Sequence, residues 1–280
     1  MTLATSADLV TDAAARGRAV PAFNVVSLDQ AEAVVWGAED AGVPALLQVS
    51  ENAIRYHSGF APLLAACREL AAASTLRIGV HVDHLEDAEL AASIIARGGE
   101  LGVGSLMFDA ARLSYDENTA LTAAVVRDGH AHGIWVEGEL GEIGGKDGAH
   151  APGVRTDPDQ ARRFVATTGV DALAVAVGSV HAMTDRSAHL DLELIARLAR
   201  AVDVPLVLHG SSGVADDVLR AAVDAGIRKV NIGTALSIAA TDRLRAELAE
   251  RPDAVDPRSY SRGPRDDVRA LVAQLAAVVG

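Results

Sequence analysis

The segment Pro205-Leu-Val-Leu-His-Gly-Ser-Ser-Gly213 is a short apolar run that ends in a histidine and a glycine-rich polar loop. An amphipathic stretch over Asp216–Ala225 follows it, and a second apolar run at Lys229–Ile232 comes next. Because parallel strands need a helical crossover between them, this order is typical of a βαβ unit. The segment therefore predicts a parallel sheet with polar residues at the carboxyl ends of its strands.

The same unit recurs along the whole chain. Near-continuous apolar runs predict eight buried strands at Pro21–Val26, Ala45–Ser50, Arg77–Asp83, Ser105–Asp109, Ile134–Leu140, Ala172–Gly178, Pro205–His209 and Lys229–Ile232. Amphipathic patterns predict the intervening helices at Leu28–Ala41, Pro62–Ala73, Glu86–Ala96, Asp116–His132, Asp157–Thr168, Asp191–Ala201 and Asp216–Ala225, several ending at a glycine such as Gly98. Eight repeats without a linker predict an α/β fold, a (β/α)8 TIM barrel in a single domain over residues 1–280. The alternative is an open doubly wound sheet, which the lack of Gly-x-Gly-x-x-Gly after the first strand disfavours.

Charge and composition exclude several kinds of partner. The chain has 25 Lys and Arg against 38 Asp and Glu, and a net charge of −13 argues against binding to nucleic acid or an anionic membrane. The single Cys67 rules out an intramolecular disulfide, and no apolar stretch approaches the ~20 residues that span a bilayer. Because the first ten residues also lack a signal-peptide pattern, we expect a cytoplasmic protein.

Polar side chains are predicted at the carboxyl ends of the strands, where the active sites of barrel enzymes form. They are Asn24, Ser50, Asp83, His84, Asp109, Glu137, Glu139, His181, His209, Asn231 and Thr234. Three are histidines (His84, His181 and His209), and three imidazoles with one open position make a catalytic zinc site that acts as a Lewis acid. The other six histidines are interpreted as surface or structural residues.

Asp83 and His84 are adjacent at the end of the third predicted strand. Side chains of neighbouring strand residues point to opposite faces, so both can reach one site only where the strand ends and the chain turns. There His84 could hold a metal while Asp83 moves a proton on a bound substrate. The alternative role for Asp83 is to cap the helix that begins near Glu86.

Two glycine-containing loops follow the seventh and eighth strands. Barrels often bind phosphate at these two loops, where backbone N–H groups and a helix N-terminus meet, although either loop alone could be a plain turn. Gly210 allows close backbone approach, and Ser211, Ser212 and Thr234 add hydroxyl groups. The pair of loops predicts a phosphate site.

The fifth strand carries two carboxylates on one face. Glu137 and Glu139 alternate, so both are expected to point into the barrel, where Zn²⁺ would offset their burial. The glycine-rich segment that follows, residues 141–156, is interpreted as a lid over the site or as a solvent-exposed loop.

Taken together, these motifs resemble those of the class II fructose-bisphosphate and tagatose-bisphosphate aldolases over nearly the whole chain. The matching segments are Ala22-Phe-Asn-Val25, His81-Val-Asp-His84, Met107-Phe-Asp109, Val136-Glu-Gly-Glu-Leu-Gly141, Gly144-Gly145, His181, Leu208-His-Gly-Ser-Ser-Gly213, Lys229-Val-Asn231, Thr234 and Asp256-Pro-Arg258. The resemblance implies reversible cleavage of a ketose 1,6-bisphosphate, fructose first and tagatose next, to dihydroxyacetone phosphate and an aldehyde such as glyceraldehyde 3-phosphate. It also implies one catalytic Zn²⁺ per subunit, a monovalent cation and a homo-oligomer, dimer or tetramer.

The resemblance also implies a role for each matching residue. His84, His181 and His209 would bind zinc, and Asp109 and Glu139 would orient the ligands or hold other metal positions. Asp83 would exchange the proton of the C4 hydroxyl, and Asn231 would bind the enediolate. One phosphate would be held by Gly210, Ser211, Ser212 and Thr234, and the other would be met by Asn24, Ser50 and Arg258, with Arg258 coming from a partner subunit. Two matches are incomplete. Asp147 stands where the family has a glutamate that handles the enediolate proton, and Ala182 replaces a phosphate-binding glycine but keeps its backbone donor.

Two other functions use the same residues. A metal-dependent epimerase or isomerase would interconvert sugar phosphates without forming triose phosphates. A non-catalytic sugar-phosphate-binding subunit would keep the barrel and bind ligand, but it would need no acid beside its metal.

Overall fold

In residues 3–141, 154–180 and 186–280, which this computed structural model describes, eight parallel strands close into a barrel. Each strand pairs with the next in chain order, and β1 also pairs with β8. The strands are β1 Val20–Asn24, β2 Ala45–Ser50, β3 Ile78–Leu85, β4 Val103–Phe108, β5 Trp135–Leu140, β6 Ala172–Val175, β7 Leu206–Leu208 and β8 Ile227–Ile232. The predicted (β/α)8 barrel is confirmed, and all the carboxyl ends lie on one rim.

Helices surround the barrel. In the described ranges they are α1 Ser6–Ala15, α2 Leu28–Ala41, α3 Glu51–Tyr56, α4 Ala61–Ala73, α5 Ala88–Leu101, α6 Tyr115–Ala131, α7 Pro158–Thr168, α8 Leu192–Ala201, α9 Asp216–Ala225, α10 Thr234–Glu250 and α11 Pro257–Val279. One predicted cap was wrong. Gly98 lies inside α5, where a Cβ would come 2.8 Å from Ile134 Cδ1, and the left-handed cap is Gly102. Gly98 therefore allows close packing rather than ending the helix.

β6 is shorter than predicted and ends at Val175. The next residue leaves the strand ladder because Ala176 exchanges hydrogen bonds with Thr156, whose Oγ1 accepts from the Ala176 N–H at 2.8 Å. Thr156 Oγ1 also donates to the carbonyl of Leu140 at the end of β5. This buried threonine thus joins the ends of β5 and β6 at the rim.

The amino-terminal end of the barrel is closed by α1, a helix that the sequence pattern had not indicated. Thr5 caps this helix, and its buried Leu9, Val10 and Ala13 pack against the first residues of β1 and β2. The other end of the barrel is left as the polar rim.

The barrel separates an apolar outer layer from an interior that is polar near the rim. Outward-facing strand residues such as Val82 and Leu208 pack against the helices in one large core cluster. Inward-facing residues near the rim are polar and fully buried, among them His81, Glu137 and Lys229. No helix in the described part of the chain is long and apolar enough to cross a membrane.

α2 and α11 pack closely, and Gly37 of α2 lies at their contact. A Cβ built at Gly37 would come 2.5 Å from the carbonyl oxygen of Arg269 and 2.7 Å from Val272 Cβ in α11. The backbone carbonyl cannot move without shifting the helix, so this position tolerates only glycine.

We predict that Gly37→Ala destabilises the fold by about 1–3 kcal/mol, since it overpacks this contact. Gly99→Ala is the matched control, because Gly99 is also helical and a Cβ there has no neighbour within 4 Å. It should raise stability by about 0.5–1 kcal/mol. Urea unfolding of both variants checks the pair, and equal effects would contradict the packing argument.

Candidate metal and catalytic site

The end of β3 carries a bulge that turns two adjacent side chains to the same site. Val82 and Leu85 of β3 are three residues apart, but their register partners on β4, Leu106 and Phe108, are only two apart. Within this bulge His84 has a left-handed φ of 49°. A non-glycine residue in this region is uncommon and marks local strain. The bulge explains how Asp83 and His84 both face the barrel mouth.

The capping role considered for Asp83 is wrong. The side chain of Asp87 caps α5 by accepting hydrogen bonds from the N–H groups of Glu89 and Leu90. Asp83 is buried inside the rim instead and does not cap the helix.

His84 and His209 converge with their ring nitrogens ordered for a metal. His84 Nε2 and His209 Nδ1 lie 2.9 Å apart. The other nitrogen of each ring contacts a carboxylate: His84 Nδ1 lies 3.0 Å from Asp109 Oδ2, and His209 Nε2 lies 2.8 Å from Glu137 Oε1. A carboxylate on one nitrogen fixes the tautomer and orients the opposite nitrogen as a ligand. Asp109 thus orients His84, and Glu137 orients His209.

Burial keeps His209 neutral. Desolvation, assisted by the neighbouring His84, lowers the pKa of His209 to about 4, although the hydrogen bond that His209 donates to Glu137 acts in the opposite direction. Desolvation raises the pKa of Glu137, but the ammonium of Lys229 and the hydrogen bond with His209 outweigh it, and the pKa falls to about 2. Glu137 and Lys229 are fully buried, with Nζ 2.8 Å from Oε2. Near neutral pH the imidazole can therefore bind a cation without first losing a proton.

Two overlapping groups of side chains in the described residues could hold a metal ion. One is Asp83, His84 and His209, and the other is His84, Asp109 and Glu139. Neutral imidazole nitrogens with nearby carboxylates suit a divalent transition metal such as zinc. The third predicted ligand, His181, lies outside the described residues, as do the predicted site residues Asp147 and Ala182.

Two carboxamides hold the carboxylate of Asp83. Asn24 Nδ2 donates to Oδ2 at 2.8 Å, and Asn231 Nδ2 donates to Oδ1 at 3.1 Å. Desolvation raises the pKa of Asp83, but His84, His209 and Lys229 outweigh it, so the pKa lies well below the ordinary value. Asp83 is therefore an ionised carboxylate that two amides orient beside the converging imidazoles.

The loops after β7 and β8 meet at the start of α10. Ser212 Oγ accepts a hydrogen bond from the Ala235 N–H at 3.1 Å, and Ser211 Oγ donates to the carbonyl of Asn231. Gly210 has a left-handed φ of 66°, and a Cβ there would lie 2.7 Å from the Val180 carbonyl oxygen. Thr234 is the first residue of α10. The predicted phosphate loops thus come together at a helix N-terminus.

The two residues predicted to bind the second phosphate, besides Asn24, lie in different places. Ser50 is at the rim beside Asp83 in the strand register, where its Oγ caps the short helix α3. Arg258 lies at the start of α11, is 89% exposed and pairs with Asp256. The structure shows no contact between Arg258 and the described metal group of the same chain.

The sequence pattern of the class II fructose-bisphosphate aldolases matches residues 4–280 of the chain. The chain belongs to the class II fructose-bisphosphate aldolase family. It is therefore an aldolase, a carbon–carbon lyase of a metal-dependent class. The D-tagatose-1,6-bisphosphate aldolase subunit GatY of Klebsiella oxytoca is 35% identical over 100% of this chain and 98% of its own length.

Two crystal structures extend the comparison. The YdjI aldolase of Escherichia coli K12 is 32% identical and superposes with a TM-score of 0.83, covering 100% of this chain and 98% of its own. The fructose-bisphosphate aldolase of Campylobacter jejuni, at 20% identity, has a TM-score of 0.81 over 99% and 96% of the two chains and supports the fold alone.

Two residues of this aldolase, Lys229 and Gln48, belong to the site although the sequence analysis gave them no role, and Glu137, which was expected beside a metal cation, pairs with the ammonium of Lys229. Glu137 orients His209, Lys229 pairs with Glu137 and donates to Asn231 Oδ1 at 2.8 Å, and Gln48 Nε2 donates to Asn24 Oδ1 at 3.1 Å. Strand alternation carried a signal for Lys229, which lies two residues before Asn231 on the same face. The partners of that lysine depend on which strands close the barrel.

The pKa of His209 predicts the acid sensitivity of the metal-free aldolase. A histidine whose pKa is lower in the folded chain than in the unfolded chain binds fewer protons when folded. The free energy of unfolding therefore decreases as the pH is lowered from about 6.5 to about 4. The loss attributable to His209 is on the order of 3 kcal/mol.

Urea unfolding across this pH range measures the effect, and His209→Asn should flatten the slope. The exposed His132 gives the control His132→Asn, which should keep the wild-type slope. If His209→Asn also kept it, His209 would not be the group responsible.

Proposed function

We propose that this aldolase performs zinc-dependent, reversible aldol cleavage of a ketose 1,6-bisphosphate to dihydroxyacetone phosphate and an aldehyde such as glyceraldehyde 3-phosphate. The observation that carries the proposal is the ionised Asp83 carboxylate, held by two amides beside two converging imidazole nitrogens. The family is named for fructose bisphosphate and the Klebsiella oxytoca relative for tagatose bisphosphate, so both sugars belong in the test.

The proposed metal site uses His84, His209 and the predicted ligand His181. When bound, zinc would act as a Lewis acid on the substrate carbonyl. Asp109 and Glu137 hold the two described imidazoles in position through hydrogen bonds. Glu139 Oε2 lies 4.0 Å from His84 Nδ1, and Glu139 is proposed as a further orienting or metal-binding group.

Proton transfer is assigned to two carboxylates. In the cleavage direction Asp83 would accept the proton of the C4 hydroxyl as the C3–C4 bond breaks, and it would return the proton in synthesis. Its low pKa keeps the carboxylate ionised, so it is free to accept a proton from the substrate. Asp147 is proposed to handle the proton at the carbon of the dihydroxyacetone phosphate half, and Asn231 Nδ2 to donate to a substrate oxygen.

The phosphates are assigned to local donors, because the chain as a whole is acidic. Gly210, Ser211, Ser212, Thr234 and the Ala182 N–H would bind the phosphate of the dihydroxyacetone half near the α10 N-terminus, where partial positive charge favours an anion. A monovalent cation is proposed beside this phosphate. Asn24 and Ser50 would lie toward the other phosphate.

We also propose a homo-oligomer, a dimer or tetramer, in which Arg258 binds the second phosphate in the partner subunit's site. In support, Arg258 is highly exposed, and the residue it forms an ion pair with, Asp256 of the same chain, lies just before it at the α10–α11 connection. The enzyme is expected in the cytoplasm.

A coupled triose-phosphate assay with fructose and tagatose 1,6-bisphosphates tests the function. We expect cleavage that EDTA abolishes and zinc restores, since the metal polarises the carbonyl. The preferred sugar gives the configuration at C4. Conversion between sugar phosphates without triose phosphate would support an epimerase instead, and no cleavage by protein with a full equivalent of zinc would overturn the proposal.

Two variants separate proton transfer from metal binding in the same assay. Asp83→Ala should keep its zinc and lose turnover by about 10²–10⁴-fold. His209→Ala should lose the metal as well. Near-normal rates in Asp83→Ala would contradict its role in proton transfer, and a full equivalent of zinc in His209→Ala would contradict its role as a ligand.

Mixing two inactive variants tests the role of Arg258 between subunits. If Arg258 serves the partner's site, subunits of Asp83→Ala and Arg258→Ala exchanged into hybrids should form one complete site per dimer and recover about a quarter of the wild-type rate. Asp83→Ala mixed with His209→Ala is the control and should recover nothing. Absence of recovery in the first mixture, with subunit exchange verified by mass spectrometry, would place Arg258 in its own site or in none.

A further inference from the structure

Two fully buried polar atoms inside the barrel have no hydrogen-bond partner among the described residues. They are Gln48 Oε1 and His81 Nε2. Gln48 and His81 are direct register partners on β2 and β3, and both side chains point into the barrel below Asp83. An unsatisfied buried polar atom costs about 1–3 kcal/mol, so two of them in one layer indicate a ligand that satisfies both.

The direction of the hydrogen bonds above this layer is fixed by Asp83. An ionised carboxylate only accepts, so Asn24 must present its Nδ2 to Asp83 and its Oδ1 to Gln48. Gln48 must then donate through Nε2, which leaves Oε1 as an acceptor directed away from Asn24. Flipping the Gln48 amide would break the bond to Asn24, so the partner of Oε1 has to be a donor.

The hydrogen bonds below the layer run through His81. Its Nδ1 lies 2.7 Å from Ser105 Oγ, which in turn contacts Ser6 Oγ of α1 at 2.5 Å. The ring is fully buried and its Nδ1 faces a hydroxyl group, so as a neutral imidazole it has one donor and one acceptor. If Ser6 donates to Ser105 and Ser105 to Nδ1, then Nε2 carries the proton and points a donor into the same layer.

We propose that the barrel interior binds one water molecule between Gln48 Oε1 and His81 Nε2, and that Gln48 and His81 are positioning residues for Asp83. The water accepts from His81 Nε2–H and donates to Gln48 Oε1. Lys229 Nζ uses two of its three donors on Glu137 and Asn231, and the third can complete the three partners typical of a buried water.

The water completes a one-way chain of hydrogen bonds. In the proposed arrangement it runs from Ser6 through Ser105, His81, the water, Gln48 and Asn24 to Asp83, and each group donates to the next. Lys229 performs the same task for the second amide, because it anchors Asn231 Oδ1 and leaves Nδ2 for Asp83. The water site stands on geometry alone, whereas its effect on turnover rests on the proposed function.

The site is tested first without turnover, by a high-resolution crystal structure of the zinc-loaded protein and by long-range ¹H–¹⁵N correlation of its histidines. We expect an ordered water within hydrogen-bonding distance of Gln48 Oε1 and His81 Nε2, and the Nε2–H tautomer for His81. No water between these atoms, or the Nδ1–H tautomer, would overturn the proposal. Neither readout depends on which reaction the enzyme performs.

Two Gln48 variants then test the positioning role. Gln48→Met removes both the donor and the acceptor, so the water should be lost and kcat should fall about 10- to 100-fold, with little change in KM or zinc content. Gln48→Glu keeps the acceptor but not the donor to Asn24, so the water should remain while kcat still falls. This variant also keeps the test open if Gln48→Met does not fold.

Gln160→Met, at an exposed glutamine of α7, is the matched control and should behave as wild type. A Gln48→Met variant that folds, binds zinc and turns over at the wild-type rate would contradict the positioning role, even if the wild-type crystal structure contains the water. If the wild-type protein cleaves no ketose bisphosphate, the proposed function fails and the kinetic comparison cannot be made, but the crystallographic and NMR test of the water site still holds.

Discussion

Glu137 and Lys229 carry opposite charges in the middle of the barrel, where neither side chain is exposed to bulk solvent. Each needs the other, since a lone buried charge would cost several kcal/mol. The pair also organises its surroundings, because the second oxygen of Glu137 fixes the tautomer of His209 and Lys229 fixes the amide of Asn231. The nitrogen proposed to bind the metal and the amide proposed to face the substrate are therefore both oriented by one interior ion pair.

The rim above this pair stores strain where the chemistry is proposed. His84 adopts a left-handed conformation within a bulge, and this lets two adjacent residues share one site. The cost is offset by contacts that hold the loop: Glu51 Oε2 accepts from the N–H groups of Glu86 and Asp87, and Asp109 orients the His84 ring. A strained residue is kept in place because its neighbours over-determine its position.

The acidic surface and the proposed anionic substrate are reconciled by local donors. Because the net charge of −13 repels phosphate at long range, affinity must come from N–H groups and hydroxyls at short range. The loops after β7 and β8 converge at the start of α10, where the N-cap residue is a glycine and Ser212 Oγ accepts from the Ala235 N–H. Glycine at position 210 is required there both by its left-handed backbone and by the close approach of the Val180 carbonyl.

By itself the sequence determined the eight strand–helix units and the rim residues, because the hydrophobic period and the order of elements are local properties of the chain. It also identified His84, Asp83 and Asn231 as residues of one site, through their positions at strand ends. It left the short helices α1 and α3 unassigned and gave Gly98 the wrong role, since those depend on what each segment packs against. Only the tertiary structure decided that Glu137 meets Lys229 and that Gln48 reaches Asn24, because these bonds join strands that are neighbours only once the barrel has closed.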